Sequence, residues 1–439
     1  MTPSPRSATK TPGLAPRRAA LQVLDRVRRG VNFDAACESA FIRLADADRR
    51  LAHELAAGVL RHTGPLDLQL APLVSGGWQT VAPVLKDVLR LGAYQLTGLD
   101  RIPAHAAVST SVSLASELRG ARAGGFVNAV LRRLPLQPET KPSPATPRDL
   151  ARAYSHPPWL VARWIGRFGL EETTRLLDWN NTRPSLVLQP ARRDLPAIIG
   201  RLTAEAIPFR AAPFEAGVVV EAGRPTDLPG YDSGDFQVQD PAQALVVQFI
   251  GPVEADVVFD ACAAPGGKAI ALGRRARLVL ASELEPTRLR RLRQNLSRAG
   301  SGRELVIRAD AGQPPLAAAD IVLLDAPCLA TGTMARHPDA RARLSTRALT
   351  RLTDIQQRLL SQLAPVVRPG GRLVYATCSL EPEENEHQVE RFLDEHPEFR
   401  RDPVATMPAG MLTPAGDLQI LPHVHGMDGA FAARLRRAT

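Results

Sequence analysis

Two cysteines stand where a fold can deliver chemistry. Cys328 ends the run Ile321-Val322-Leu323-Leu324-Asp325-Ala326-Pro327-Cys328, and Cys378 ends Gly371-Arg372-Leu373-Val374-Tyr375-Ala376-Thr377-Cys378. Each follows a short apolar run bounded by turn residues, the pattern of a buried strand running into a loop. Open α/β sheets bind ligands outside the carboxyl ends of their strands. Two thiols delivered there, with Asp325 three residues before the first, suit nucleophilic catalysis at a shared pocket. Taken singly, either cysteine would pass as a small buried hydrophobe.

A second group of residues suits a bound cofactor. The apolar run that ends at Asp260 leads into Ala261-Cys262-Ala263-Ala264-Pro265-Gly266-Gly267-Lys268. Small residues let backbone approach a ligand closely, and a following helix would offer its amides. The pattern is neither the dinucleotide G-x-G-x-x-G nor a P-loop. The next strand ends at Glu283, where an acid suits a ribose diol. A third leads to Asp310, placed to meet an adenine edge. Either acid alone would more often be a cap; three such positions on consecutive strand ends point to an adenosine-containing cofactor. Lys268 adds to this. Of 55 basic residues only Lys10, Lys86, Lys141 and Lys268 are lysines, so a lysine here invites a specific role for a compact point charge.

These groups need a sheet to position them. From Phe236 onward strands and helices alternate: Val257–Phe259, a helix after Lys268, Leu278–Ala281, Arg288–Ala299, Leu305–Arg308, Ile321–Leu324, Leu349–Leu363, Arg372–Tyr375 and Glu384–Leu393. Alternation of this kind predicts a parallel sheet with helices on both faces. Asp240-Pro241 reads as the start of its first helix. Residues 1–15 are expected to be a disordered tail. Residues 16–134 read as helical, with Leu21, Leu24, Leu55, Val59 and Val84–Leu96 at helical spacing. Arg28, Arg29, Arg49, Arg50, Arg61, Arg132 and Arg133 punctuate these helices as solvated charge. Prolines 135, 138, 142, 144 and 147 mark a linker over residues 135–149. Residues 150–235 form a small insert, with helices near Pro158–Phe168, Glu171–Trp179 and Leu195–Glu205 and strands at Leu186–Leu188 and Val218–Val220. The last domain covers 236–439.

Composition bounds the partners. At 439 residues the chain has room for two to four domains, and 44% hydrophobic with 23% charged content is ordinary for a globular protein. A net charge of +10 favours nucleic acid. No apolar run reaches a membrane span, and the first residues lack the core of a secretory signal, so a cytoplasmic protein without membrane contact is expected. The four cysteines show no C-x-x-C spacing and there are no clustered histidines, so neither a metal site nor a disulfide framework is expected.

Asp325-Ala326-Pro327-Cys328, with Thr331-Gly332 and Arg336-His337-Pro338-Asp339, resembles motif IV of the RNA cytosine-5 methyltransferases. Thr377-Cys378-Ser379-Leu380 with Pro382-Glu383-Glu384-Asn385-Glu386 resembles their motif VI, Cys262–Lys268 their motif I, and Asp428-Gly429-Ala430-Phe431 their closing strand. Gly58-Val59-Leu60-Arg61, Ile102–Val108 and Gly125–Arg132 resemble the NusB-like domain of the RsmB (Sun) group, bacterial enzymes that methylate a cytosine of 16S rRNA. The resemblance covers nearly the whole chain.

It implies a multidomain fold: an all-α NusB-like domain, a small α+β, RRM-like insert, and a C-terminal α/β Rossmann-like domain dependent on S-adenosylmethionine. It further implies a monomer acting on 16S rRNA or a small-subunit precursor. Cys378 would attack C6 of the cytosine and Cys328 would assist release of the adduct. Asp325 would hold the base, with Lys268 beside it, and Cys262, Ala263, Ala264, Pro265, Gly266, Gly267, Lys268, Glu283, Asp310 and Asp325 would line the cofactor. Spacing alone leaves the order of the two cysteines open. The chain departs from the family in three places. Leu329-Ala330 stands where Ser-Gly is usual, Glu283 where Asp is usual, and Ala430 where Phe is typical. A cytosine-5 enzyme of tRNA or another rRNA site, and a non-catalytic RNA-binding module, are the alternatives. An adenine amino-methylase would carry a D/N-P-P-aromatic turn instead.

Overall fold

The computed structural model describes residues 13–134, 146–221, 224–404 and 406–439. The chain divides into two compact units, one of residues up to Thr182 together with Met334–Arg343, the other of Arg183–Thr333 with Leu344–Thr439.

The first unit is helical. Apolar residues at helical spacing on Leu14–Arg28, Asp46–Arg61, Pro83–Gly98, Ala104–Arg119 and Ala121–Leu131 close around one core that includes Leu21, Leu24, Leu55, Val59, Leu89 and Val127. Cys37 is part of that core, and burial pushes its thiol up to about 12. Of the expected tail, residues 1–12 lie outside the described residues. The helix begins at Leu14 because Leu14 is buried and Arg17 ties back to the Gly13 carbonyl. Of the expected linker, residues 135–145 likewise lie outside the described residues. Its last residues are helical: Thr146 accepts the Asp149 amide and Pro147 starts a helix to Ala153. Residues 150–182 belong with this unit rather than with the insert, since Gly64 donates to the Ser155 hydroxyl at 2.9 Å. The two helices expected over 158–179 are both present within Pro158–Asn180, separated at Gly169, whose φ of +80° and ψ of 169° are not helical.

Several arginines of this unit serve as internal struts rather than as solvated charge. Arg61 is buried and donates to the Ala335 carbonyl at 3.0 Å. Arg341 is also buried, reaching Asn180 O at 2.6 Å, Asn181 Oδ1 at 2.7 Å and the carbonyls of Arg61 and Tyr154. Burial, then the charge of Arg61, lowers its pKa to about 9. The Phe33 amide donates to Asp339. Met334–Arg343, which includes the motif IV residues Arg336–Asp339, thus belongs with the helical unit.

The second unit holds two sheets. The smaller is antiparallel, in the order β2-β3-β1-β4, from β1 (Leu186–Pro190), β2 (Phe209–Ala211), β3 (Val218–Val220) and β4 (Phe236–Val238). The helix Leu195–Ala204 covers it through Ile198 and Leu202. β4 lies beyond the boundary expected at residue 235, because Phe236 packs with Leu188, Ile198 and Val218 in the same small core.

The larger sheet runs β10-β12-β9-β8-β5-β6-β7, with β11 on β12. Its strands are β5 (Val257–Asp260), β6 (Leu278–Ser282), β7 (Glu304–Ile307), β8 (Ala319–Asp325), β9 (Val367–Thr377), β10 (Phe399–Arg401), β11 (Leu418–Ile420) and β12 (Ala430–Arg437). β5 to β9 are parallel, as alternation predicts. β10, β11 and β12 are antiparallel additions, which makes the sheet mixed. Successive side chains go to opposite faces. Val258, Leu323 and Val374 pack against the helices Pro241–Ile250 and Pro286–Ala299, while Phe259, Val322 and Tyr375 pack against Thr346–Leu363 and Glu386–Glu395. Asp240 caps the first of these helices through the Ala242 amide. Among the described residues no helix is long and apolar enough to cross a membrane.

Candidate active site

β8 and β9 are hydrogen-bonded neighbours, with Asp325 opposite Ala376, so the loops that follow them leave the sheet side by side. The two sulfurs meet there at 3.4 Å. They are not joined as a disulfide, and both residues are partly exposed. Their surroundings are unequal. The hydrogen bond with Cys378, burial, and the charges of Cys378 and Glu384 push the Cys328 thiol well up. Cys328 therefore holds its proton at neutral pH.

Lys268 reaches across from the loop after β5 and donates to Asp325 Oδ2 at 2.7 Å. Burial opposes its charge, but Asp325, Cys378 and Asp260 outweigh burial and raise its pKa. The lysine therefore stays cationic at neutral pH. Asp260 lies at the end of β5, completely buried, and neither carboxylate oxygen has a side-chain or backbone partner in good hydrogen-bond geometry. Burial and the charge of Asp325 lift it to about 7, against the pull of Lys268 and a weak contact with the Cys262 amide.

The loop 262–268 is pinned at several points. Ala263 donates to the Ser282 carbonyl at 2.8 Å, Asn295 to Pro265 O at 2.8 Å, and Gln237 to Gly267 O at 3.0 Å. Gly266 sits at φ +111°, a conformation open to glycine. Cys262 packs at the edge of the core, where burial and then Asp260 push its thiol up to about 12. Ala263 and Ala264 are buried and Pro265 is exposed. Glu283 and Asp310 follow β6 and β7, so the acids expected at the cofactor line the same sheet edge in strand order. Both also brace backbone. Glu283 accepts the amides of Leu284 and Glu285, each at 3.0 Å, and pairs with Arg288 at 3.3 Å. Asp310 accepts the Gly312 amide at 2.8 Å and is exposed.

Residues 247–436 match the model of the 16S rRNA methyltransferases RsmB/F, and residues 14–135 match the NusB family. The chain is 34% identical to "Probable ribosomal RNA small subunit methyltransferase B" of Synechocystis sp., over 97% of this chain and 100% of that one. It is 33% identical to ribosomal RNA small subunit methyltransferase B of Vibrio cholerae, over 95% of this chain and 96% of that one. The chain belongs to the RsmB family. Among solved structures, PH0851 superposes with a TM-score of 0.78 at 25% identity, over 98% of this chain and 100% of that one. NSun6 from Pyrococcus horikoshii, crystallised with SFG, shares the fold with a TM-score of 0.57 at 18% identity, over 63% of this chain and 97% of that one.

RsmB motifs IV and VI are held together by residues to which sequence reasoning gave no role. Gly332 donates to the Cys378 carbonyl at 2.9 Å, and Gly429 of the closing segment donates to Gly332 O at 2.8 Å. A Cβ on Gly332 would fall 2.7 Å from the Gly429 Cα, so the two glycines admit each other. Thr331 accepts the Leu380 amide at 2.8 Å, and Asn385 links Thr377 Oγ1 to the Ser379 carbonyl. Ala330, in the departure from the usual Ser-Gly, sits at φ +57°. The loop keeps a left-handed turn there without a glycine. Gln356 and Glu384 also converge beneath Cys328.

Proposed function

We propose that this RsmB-family protein methylates C5 of a cytosine in small-subunit rRNA, with S-adenosylmethionine as methyl donor. The observation that carries the reading is the pair of sulfurs 3.4 Å apart beside the Lys268–Asp325 ion pair. The named relatives and the family model support the substrate class.

The residues present fit the donor. Asp260 feels the charges of Asp325 and Glu283, which are paired with Lys268 and Arg288, so the site presents several carboxylates suited to a sulfonium. Glycines 266 and 267 leave the loop open to close approach, and Glu283 and Asp310 offer carboxylates to the nucleoside. When bound, S-adenosylmethionine supplies an electrophilic methyl group.

The chain's own groups do the rest. Cys378 adds to C6, which makes C5 an enamine carbon and hence nucleophilic. Asp325 receives the amino and N3 edge of the base while Lys268 keeps the carboxylate in place. Cys328 assists removal of the C5 proton, so that Cys378 can leave. The base must quit its stack to reach the thiol, which single-stranded or flexible RNA makes less costly.

The test offers tritiated-methyl S-adenosylmethionine to 16S rRNA, tRNA and small-subunit particles with wild type, Cys378→Ala and Cys328→Ala. Cys378→Ala should transfer no methyl, and Cys328→Ala should accumulate a covalent protein–RNA adduct. Full transfer by Cys378→Ala would sink the assignment. Preferential labelling of tRNA would move the substrate to the alternative class.

A further inference from the structure

We propose that Glu384 and Gln356 are positioning residues for Cys328, clamping the turn Pro327-Cys328-Leu329 so that its thiol faces the pyrimidine adduct. The inference rests on the release role given to Cys328 above.

The peptide groups on either side of Cys328 are each held by a fully buried polar side chain. Glu384 accepts the Leu329 amide with both carboxylate oxygens, at 3.0 and 3.2 Å. Gln356, on the helix Thr346–Leu363, donates to the Pro327 carbonyl at 2.9 Å and to Glu384 Oε1 at 3.0 Å. Both neighbours are acceptors, so the amide nitrogen, with its two donors, must face them. The carbonyl before Cys328 and the amide after it are therefore fixed by one coupled pair. The pair is anchored in turn to the strand that carries the other cysteine, because the Tyr375 hydroxyl donates to the Glu384 carbonyl at 2.5 Å.

A loop anchor needs no buried carboxylate, since apolar residues of similar volume hold a segment at least as well. Here burial pushes Glu384 up to about 7, with Ser379, the Leu329 amide and Gln356 pulling it down and the charge of Glu381 adding to the rise. What the carboxylate adds is direction for the Leu329 amide and negative charge near the Cys328 sulfur. That charge helps Cys328 keep its proton while Cys378 is free. Once Cys378 Sγ is bonded to C6, the hydrogen bond and charge by which Cys378 raises Cys328 are gone. Burial and the charge of Glu384 still raise Cys328, so hydroxide from solvent takes its proton before the thiolate takes the C5 proton. The C5–H electrons form the C5=C6 double bond, the C6–Sγ bond breaks, and Cys378 leaves as thiolate. The position of Cys328 matters to this second half of the reaction and not to the first.

The test separates the two halves. Full-length wild type, Cys328→Ala, Glu384→Ala and Gln356→Ala are each given 16S rRNA and S-adenosylmethionine. First-turnover methyl transfer, steady-state turnover and denaturant-stable protein–RNA adduct are measured. Glu384→Ala should transfer its first methyl within about threefold of wild type, lose about tenfold or more in steady-state turnover, and accumulate adduct as Cys328→Ala does. Gln356→Ala should show the same split to a smaller degree, and it carries the test should Glu384→Ala fail to fold. Parallel loss of first turnover and steady state, or wild-type turnover in both variants, would overturn the clamp. Adduct trapped by Cys328→Ala but by neither clamp variant defeats the clamp alone. Normal release by Cys328→Ala defeats the role of Cys328, and the clamp with it.

Discussion

Lys268 Nζ lies 2.7 Å from Asp325 Oδ2, joining the start of the helix Gly267–Gly273, which follows β5, to the last residue of β8, the strand paired with β5. The lysine is the counter-charge to Asp325 and Asp260 together, and it lies within electrostatic reach of Cys378. Lys268→Met removes that charge from a largely buried position. Methyl transfer should fall by about a hundredfold or more, the usual effect of deleting a preorganised donor. Lys268→Arg should not restore it, because a planar guanidinium does not fit where a compact ammonium sits. Single-turnover transfer to 16S rRNA measures both, and recovery by arginine would contradict the point-charge reading.

Asp260 makes stability depend on pH in the direction opposite to a salt-bridged acid. Its pKa is about 7 in the folded protein and about 3.9 in an unfolded chain. Between those values the unfolded chain releases the proton that the folded one keeps, so the folded state binds more protons. Its contribution to stability is therefore greatest at low pH and is lost as pH rises through this window. Asp260→Asn should unfold at higher urea than wild type at pH 8, with the advantage gone at pH 4.5. Equal differences at the two pH values would show that the buried acid is not the cause.

Ala330 holds a left-handed conformation, φ +57°, that costs an alanine about 1 kcal/mol relative to glycine. Ala330→Gly should stabilise the catalytic unit by about that amount and leave the cysteine geometry unchanged. Equilibrium urea unfolding checks the first statement. Adduct release at the wild-type rate checks the second.

Arg341 supplies donors to the carbonyls of Asn180, Arg61 and Tyr154 and to Asn181 Oδ1. Arg341→Met would leave those acceptors buried without it, at about 2–4 kcal/mol for the group as a whole. The loss should appear as earlier unfolding of the helical unit, read from hydrogen exchange on Pro158–Asn180 and Asp46–Arg61. Unchanged protection of those helices would refute it.

The catalytic sheet was legible from sequence where strands are apolar and end in chemistry. Val257–Phe259, Leu278–Ala281, Ile321–Leu324 and Arg372–Tyr375 all fall within observed strands. β10 and β11 are three residues each, and β12 carries arginines, so tertiary pairing alone decides them; only family resemblance foretold the closing strand. Cys328, Cys378, Asp325 and Lys268 announced themselves by residue type at strand ends. Glu384 was visible only as part of the motif VI resemblance, with no role, and Gln356 not at all, because they meet the 327–329 turn only in space. Arg341 was harder still. Its partners are mainly backbone carbonyls, which leave no pattern in residue types.

Met334–Arg343 also sets a schedule for synthesis. The helical unit is nearly all N-terminal, yet the acceptors on Asn180, Arg61 and Tyr154, and the Phe33 amide, await Arg341 and Asp339. Residues 183–333 must leave the ribosome in between, a delay of roughly 8 to 30 s at ordinary elongation rates. During that interval the carbonyls of Arg61, Tyr154 and Asn180 lack the Arg341 donor that they have in the folded protein. The helical unit thus gains its last contacts only after most of the second unit has been made.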